Sequence, residues 1–135
     1  MTLSEAMHVH IPTLSLDSTV RDAVDKMDVY QFPALVLVDA DRIPVGVLTE
    51  GDLSRAVSAK GDVSGLRDSK ALDFATRSPI TARGDMEVSE ALHLMLTRGI
   101  SLLPVLIEGK LGGVVMRVDL MQALLTDLAS PLTSE

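Results

Sequence analysis

The chain has 135 residues, 47% hydrophobic and only 2% aromatic, with a formal net charge of −7. That length suits one compact domain or two half-sized units sharing a core of Val, Leu, Ile, Ala and Met. The acidic balance excludes non-specific nucleic-acid binding, which needs clustered Lys and Arg, and it disfavours an anionic membrane surface. With no cysteine, disulfides, thiolate catalysis and cysteine zinc sites are excluded. The opening MTLSEAMHVHIP lacks the basic flank and apolar run of a secretory signal. No apolar stretch reaches the roughly 20 residues of a bilayer span, and a cytoplasmic location is expected.

In chain order, residues 2–8 read as a short helix capped by Thr2 or Ser4, and VHIPTLSL at 9–16 as a short strand with Pro12 marking an edge. Val20, Ala23, Val24 and Met27 then fall at i, i+3, i+4 and i+7, one face of a helix. Asp17 or Ser18 is placed to cap it, and Thr19 to Asp22 has capping-box spacing. LVLVD at 35–39 is a continuous aliphatic run expected to be a buried strand. The turn at 39–42 leads into VGVLT at 45–49, giving a hairpin. Leu53, Ala56 and Val57 open a second helix that Gly61 is placed to end. Residues 59–69, rich in Gly, Ser and charge, read as a linker in which Val63 and Leu66 are candidates to pack.

The same pattern then returns. Thr81 answers Thr13, and Val88, Ala91, Leu92 and Met95 answer the first helix face, all at an offset of 68. LLPVLI at 102–107 answers the buried strand. EGK is one residue shorter than the first turn, and Gly113, Asp119 and Leu120 answer Gly46, Asp52 and Leu53 at an offset of 67. A single deletion placed in a turn is what a structural repeat tolerates. The expected fold is α+β: two β-α-β-β-α units, each too small to be stable alone, packed as a pseudo-two-fold pair. Expected boundaries are 5–60 for the first copy, 61–70 for the linker, 71–128 for the second copy and 129–135 for a polar, flexible tail.

DSTVRDAVDKM, LVLVD and VGVLTEGDL in the first copy, and DMEVSEALHLM, ISLLPVL and GGVVMRVDL in the second, resemble the CBS domain family, named for cystathionine β-synthase. ATRSPIT at 75–81 looks like the lead-in of many such domains. The resemblance runs from about Glu5 to Leu125 and implies a tandem pair, a Bateman module. Such pairs often form flat dimers and bind AMP, ADP, ATP or S-adenosylmethionine between the copies. They typically regulate an enzyme or transporter and are not normally catalytic.

In the family the strand-to-helix aspartate bonds the ribose hydroxyls, and a nearby Thr or Ser lies towards the phosphate. Carried over, one cleft uses Val47, Thr49 and Asp52 with Thr76, Ile80 and Thr81. The opposite, weaker cleft uses Asp119 with His8 and His10. There Met116 replaces the hydroxyl residue and cannot donate a hydrogen bond, so a degenerate cleft is expected. Nucleotide-binding members often carry His or Arg just before the aliphatic strand, where this chain has Ala34 and Leu102. Arg21, Arg55, Arg98 and Arg117 are the cations available to substitute.

Simpler readings stand beside these. Thr49 and Asp52 also have the types and spacing of a helix cap. His8 and His10 share one strand face but have no evident third ligand, so no metal site is expected. Met27, Met95 and Met121 read as core residues, and Gly112-Gly113 as a bulge or close approach. Nothing supplies a nucleophile triad, and no cofactor is expected to be required. The expected function is therefore a stand-alone, non-enzymatic sensor of an adenosine-containing ligand, acting on a protein partner. The alternative is a ligand-free interaction module. Dimerisation is expected through Leu53, Ala56, Val57, Leu120, Ala123 and Leu124.

Overall fold

The computed structural model describes residues 1–60 and 64–129. The expected helix stop at Gly61, the packing of Val63 and the tail from residue 130 lie outside the described residues. In chain order the elements are α1 (Leu3–Ala6), β1 (Thr13–Leu14), α2 (Val20–Tyr30), β2 (Ala34–Val38), β3 (Pro44–Thr49) and α3 (Glu50–Lys60). A 3-10 turn (Ala71–Phe74), β4 (Thr76–Arg77) and β5 (Ala82–Arg83) follow, then α4 (Val88–Arg98), β6 (Leu102–Ile107), β7 (Lys110–Met116) and α5 (Arg117–Ala129). The fold is mixed α+β, and β-α-β-β-α occurs twice.

The chain divides into two compact units: Pro12–Pro79, and Met1–Ile11 with the chain from Ile80 onward. In the first, the sheet order is β1-β2-β3-β4, with β1 parallel to β2 and the other pairs antiparallel. In the second, β5 runs parallel to β6 and β6 antiparallel to β7. His8 adds an antiparallel bridge to Val114 on β7, the counterpart of Thr76 on Val47. Each sequence repeat therefore begins with a lead-in that pairs with the sheet of the other repeat. Residues 1–11 belong with the second repeat and residues 71–79 with the first.

The aliphatic runs are strands buried on both faces. Leu35 and Leu37 enter one core cluster with Leu14, Val20, Ala23, Leu48 and Leu53, and Ala34, Val36 and Val38 are buried as well. Leu103 and Val105 enter the other cluster with Leu3, Val88, Ala91, Met95, Val115 and Leu120. The two-residue turn of the second hairpin holds Glu108 at φ 53° and Gly109 at φ 81°, which matches the twist of the strands it joins. The longer first turn is organised by Asp39, whose Oδ1 accepts from the N–H groups of Asp41 and Ile43, each at 2.9 Å. The bulge expected at Gly112-Gly113 is present, because the register slips between Val105 and Leu106.

Several expectations need correction. The first strand covers only Thr13–Leu14 rather than 9–16, since Pro12 has no N–H to give a ladder. The cap of α2 is Thr19, not Asp17 or Ser18: its hydroxyl accepts the Asp22 N–H at 3.2 Å, and Asp22 Oδ2 accepts the Thr19 N–H at 2.9 Å. In the linker, by contrast, the expected packing of Leu66 is present. Leu66 is buried in the first core, and the Ser69 and Arg67 carbonyls accept the N–H groups of Val20 and Arg21, which the first turn of a helix leaves unpaired. Val24 and Met121 point outward, at 48% and 52% exposure. Of the expected dimer face, Leu53 and Leu120 are buried, and Ala56, Ala123 and Leu124 pack against their own cores. Only Val57 is exposed, whereas Val118, Met121 and Leu125 form the outward apolar stripe of α5.

Candidate functional site

The motif at the β3–α3 junction is a reciprocal cap. The Thr49 N–H donates to Asp52 Oδ2 at 2.9 Å, and the Asp52 N–H donates to Thr49 Oγ1 at 3.1 Å. This is the capping-box geometry, with Asp in the third helical position. The start of α3 is also tied to the residue just ahead of β2, because the Glu50 N–H donates to the Pro33 carbonyl at 2.8 Å. One carboxylate oxygen is thus fixed by the backbone. The other, Oδ1, accepts from Arg55 Nη2 at 2.7 Å. The Asp52 side chain is 16% exposed and that of Arg55 74%.

Around this junction the structure assembles most of the expected first-cleft set. Val47 on β3 pairs directly with Thr76 on β4, and Thr76 is exposed at the sheet edge. Gly46 lies close against the lead-in, and a Cβ there would sit 3.3 Å from Ala75 Cβ and Leu72 Cδ1. Val47, Thr49, Asp52 and Thr76 therefore belong to one unit. Ile80 and Thr81 belong to the other, where Ile80 packs against the second core.

The second junction copies the first with altered chemistry. The Met116 N–H donates to Asp119 Oδ2 at 2.8 Å, but Met116 has no hydroxyl to accept in return. Asp119 Oδ1 lies 2.9 Å from His8 Nε2, with side-chain exposures of 44% for His8 and 16% for Asp119. His8 is held in place by two backbone bonds to Val114, at 2.9 and 3.1 Å. His10 lies at an exposed bend beyond that single bridge. Among the described residues no group of three or more His, Cys, Asp or Glu is placed to hold a metal ion.

The two positions just before the aliphatic strands also become readable. Ala34 lies directly across the ladder from Thr49, and Leu102 across from Met116. Both are adjacent to the motif, both are buried, and neither brings charge. The side chains that reach the aspartates come from elsewhere: the Arg55 guanidinium from the helix in one unit, the His8 imidazole from the bridged lead-in in the other. Sequence reading named Arg55 only as one of four cations. Its i, i+3 spacing from Asp52 on a helix was the available signal.

A family model described as the CBS domain matches residues 3–59 and again 71–126. The chain belongs to the CBS domain family. Among its relatives, an uncharacterised protein of Methanopyrus kandleri is 32% identical over 123 residues, covering 90% of this chain and 62% of that protein. The CBS pair thus spans about 62% of the length of this curated relative. A solved protein with CBS domains from Burkholderia ambifaria superposes with a TM-score of 0.83 at 25% identity, covering 98% of this chain and 99% of that one. CBSX2, solved in complex with AMP, superposes with a TM-score of 0.79 at 24% identity, covering 93% and 96%. Within the CBS fold, no helix among the described residues is long and apolar enough to cross a membrane.

Proposed function

We propose that this CBS pair is a non-catalytic sensor of an adenosine-containing ligand: AMP, ADP, ATP or S-adenosylmethionine. The ribose is held at Asp52, and Val47, Thr49 and Thr76 line the same edge. The observation that carries this reading is the division of labour at Asp52. Oδ2 is fixed by the Thr49 N–H, which orients the carboxylate and leaves Oδ1 to a side-chain partner that is itself 74% exposed. A carboxylate oxygen accepts from a sugar hydroxyl more strongly than a neutral acceptor does. The AMP complex of CBSX2, a protein of the same fold, supports the choice of ligand class. Ligand binding would act through its differential affinity for two states of the protein, read by a partner protein or by a homodimer joined through the apolar stripe of α5.

The second reading, a ligand-free interaction module, is favoured by one observation: Arg55 already occupies Oδ1. A calorimetric panel of the four ligands on wild type and Asp52→Asn separates the two. The amide keeps the size of the side chain but loses the charged acceptor, worth about 1.5–3 kcal/mol, so affinity is expected to fall roughly tenfold to a hundredfold. If no ligand of the panel binds, or if Asp52→Asn binds as tightly as wild type, the sensor reading fails and the interaction module stands.

A further inference from the structure

We infer that Arg55 is the specificity-determining residue of the Asp52 site: its guanidinium holds Oδ1 when the site is empty and transfers to an anionic group of the ligand when a diol takes that oxygen. The inference rests on the sensor reading and adds a ligand class to it, nucleotides in preference to uncharged nucleosides.

Three observations point this way. First, each Asp52 oxygen already has one partner, Oδ2 the Thr49 N–H and Oδ1 the Arg55 Nη2 at 2.7 Å, so a diol that bonds Oδ1 shares it with the guanidinium. Second, the guanidinium lies over Gly51 beside the motif hydroxyl. A Cβ built on Gly51 would be 3.4 Å from Arg55 Nη1 and 3.6 Å from Thr49 Oγ1. Third, Ala34 faces Thr49 across the ladder and brings no charge, and Arg55 is the cation bonded to the motif itself.

Arg55 is also free to move. Its side chain is 74% exposed, and exposed ion pairs are weak and easily exchanged. An uncharged nucleoside that takes Oδ1 leaves the guanidinium with water alone. A nucleotide offers it a phosphate, which the planar guanidinium grips with two parallel hydrogen bonds. The second repeat shows the contrast. Gln122 stands at the position of Arg55, and Asp119 is held by His8, which two backbone bonds fix to β7. The amide of Gln122 brings no guanidinium to Asp119, so the exchange is assigned to Asp52.

The test is calorimetric titration of AMP and of adenosine into wild type, Arg55→Ala and Arg55→Lys, with the melting temperature of each protein as a folding control. Wild type is expected to prefer AMP. In Arg55→Ala, AMP should weaken about tenfold while adenosine holds or tightens, having lost its competitor, and Arg55→Lys should recover part of the preference. Equal weakening of both ligands, or unchanged AMP affinity, overturns the inference. Binding of S-adenosylmethionine without AMP also overturns it while leaving the sensor reading intact. Binding of nothing overturns the sensor reading, and this inference falls with it.

Discussion

Gly46 and Gly113 occupy the same position in the two repeats, yet an alanine should be tolerated at one and not at the other. At Gly113 the new Cβ would lie 2.5 Å from the His8 carbonyl oxygen and 2.7 Å from Met7 Sδ. The first neighbour is backbone, and it must retreat by about 0.9 Å to reach ordinary contact. The same oxygen accepts the Val114 N–H at 3.1 Å, so a retreat of that size breaks the bond. Val114 is only 2% exposed, and an unsatisfied buried N–H costs about 1–3 kcal/mol. The reciprocal bond from His8 N–H to Val114 weakens with it, adding about 1 kcal/mol. Against this, replacing glycine with alanine in a strand regains roughly 0.5–1 kcal/mol. The net cost of Gly113→Ala is then about 1–3.5 kcal/mol. At Gly46 the nearest atoms are side-chain carbons at 3.3 Å and a carbonyl oxygen at 3.4 Å, which need shift only slightly. Gly46→Ala is therefore expected to be within about 0.5 kcal/mol of wild type. Urea unfolding of the two variants measures the gap directly. In melting temperature it corresponds to roughly 3–14 °C for a chain of this size. Equal costs at the two positions, or a greater cost at Gly46, would refute the reasoning.

Two further outcomes follow from the helix ends. Helices α2 and α4 both finish in the left-handed region, at Gln31 (φ 58°) and Gly99 (φ 65°). Gly99→Ala should lose about 1 kcal/mol. Gln31→Gly should gain less than that, because the Gln31 amide donates to the Asp28 carbonyl at 2.6 Å; denaturant midpoints check both. At the start of α2, the Thr19 backbone N–H, and then the Thr19 hydroxyl, hold the Asp22 carboxyl below the ordinary aspartate range. A lowered folded-state value means stability that is present above the unfolded value and is lost as pH falls through the folded one. Asp22→Asn should therefore flatten the acid side of the stability–pH curve, and a variant that loses stability below pH 4 as steeply as wild type would contradict this.

The repeat, the element order and the motif were legible in the sequence because they rest on local rules. The offset of 68 that falls to 67 in the hairpin turn marked two copies. Unbroken aliphatic runs marked strands buried on both faces. Thr49-x-x-Asp52 is a cap whose atoms all come from four consecutive residues, and the structure shows that cap. Periodicity was less informative about helix faces. It groups Val24 with Val20 and Ala23, but the contact covers a narrower stripe and Val24 stays outside. The same limit put Leu53 and Leu120 on an expected outer face, although they are core residues.

The sequence by itself determined that the chain is two α+β repeats of the CBS family and that Asp52 and Asp119 stand at matching strand-to-helix junctions. Those features follow from neighbours a few residues apart and from spacing that recurs. Only the tertiary structure decided that residues 1–11 pair with the second repeat and 71–79 with the first. The partner of Val114 is His8, 106 residues away, and no local pattern encodes a pairing of that range. It likewise decided what each aspartate holds on its free oxygen, Arg55 in one unit and His8 in the other. Those contacts depend on which strands meet at each sheet edge and which side chains then reach the same oxygen.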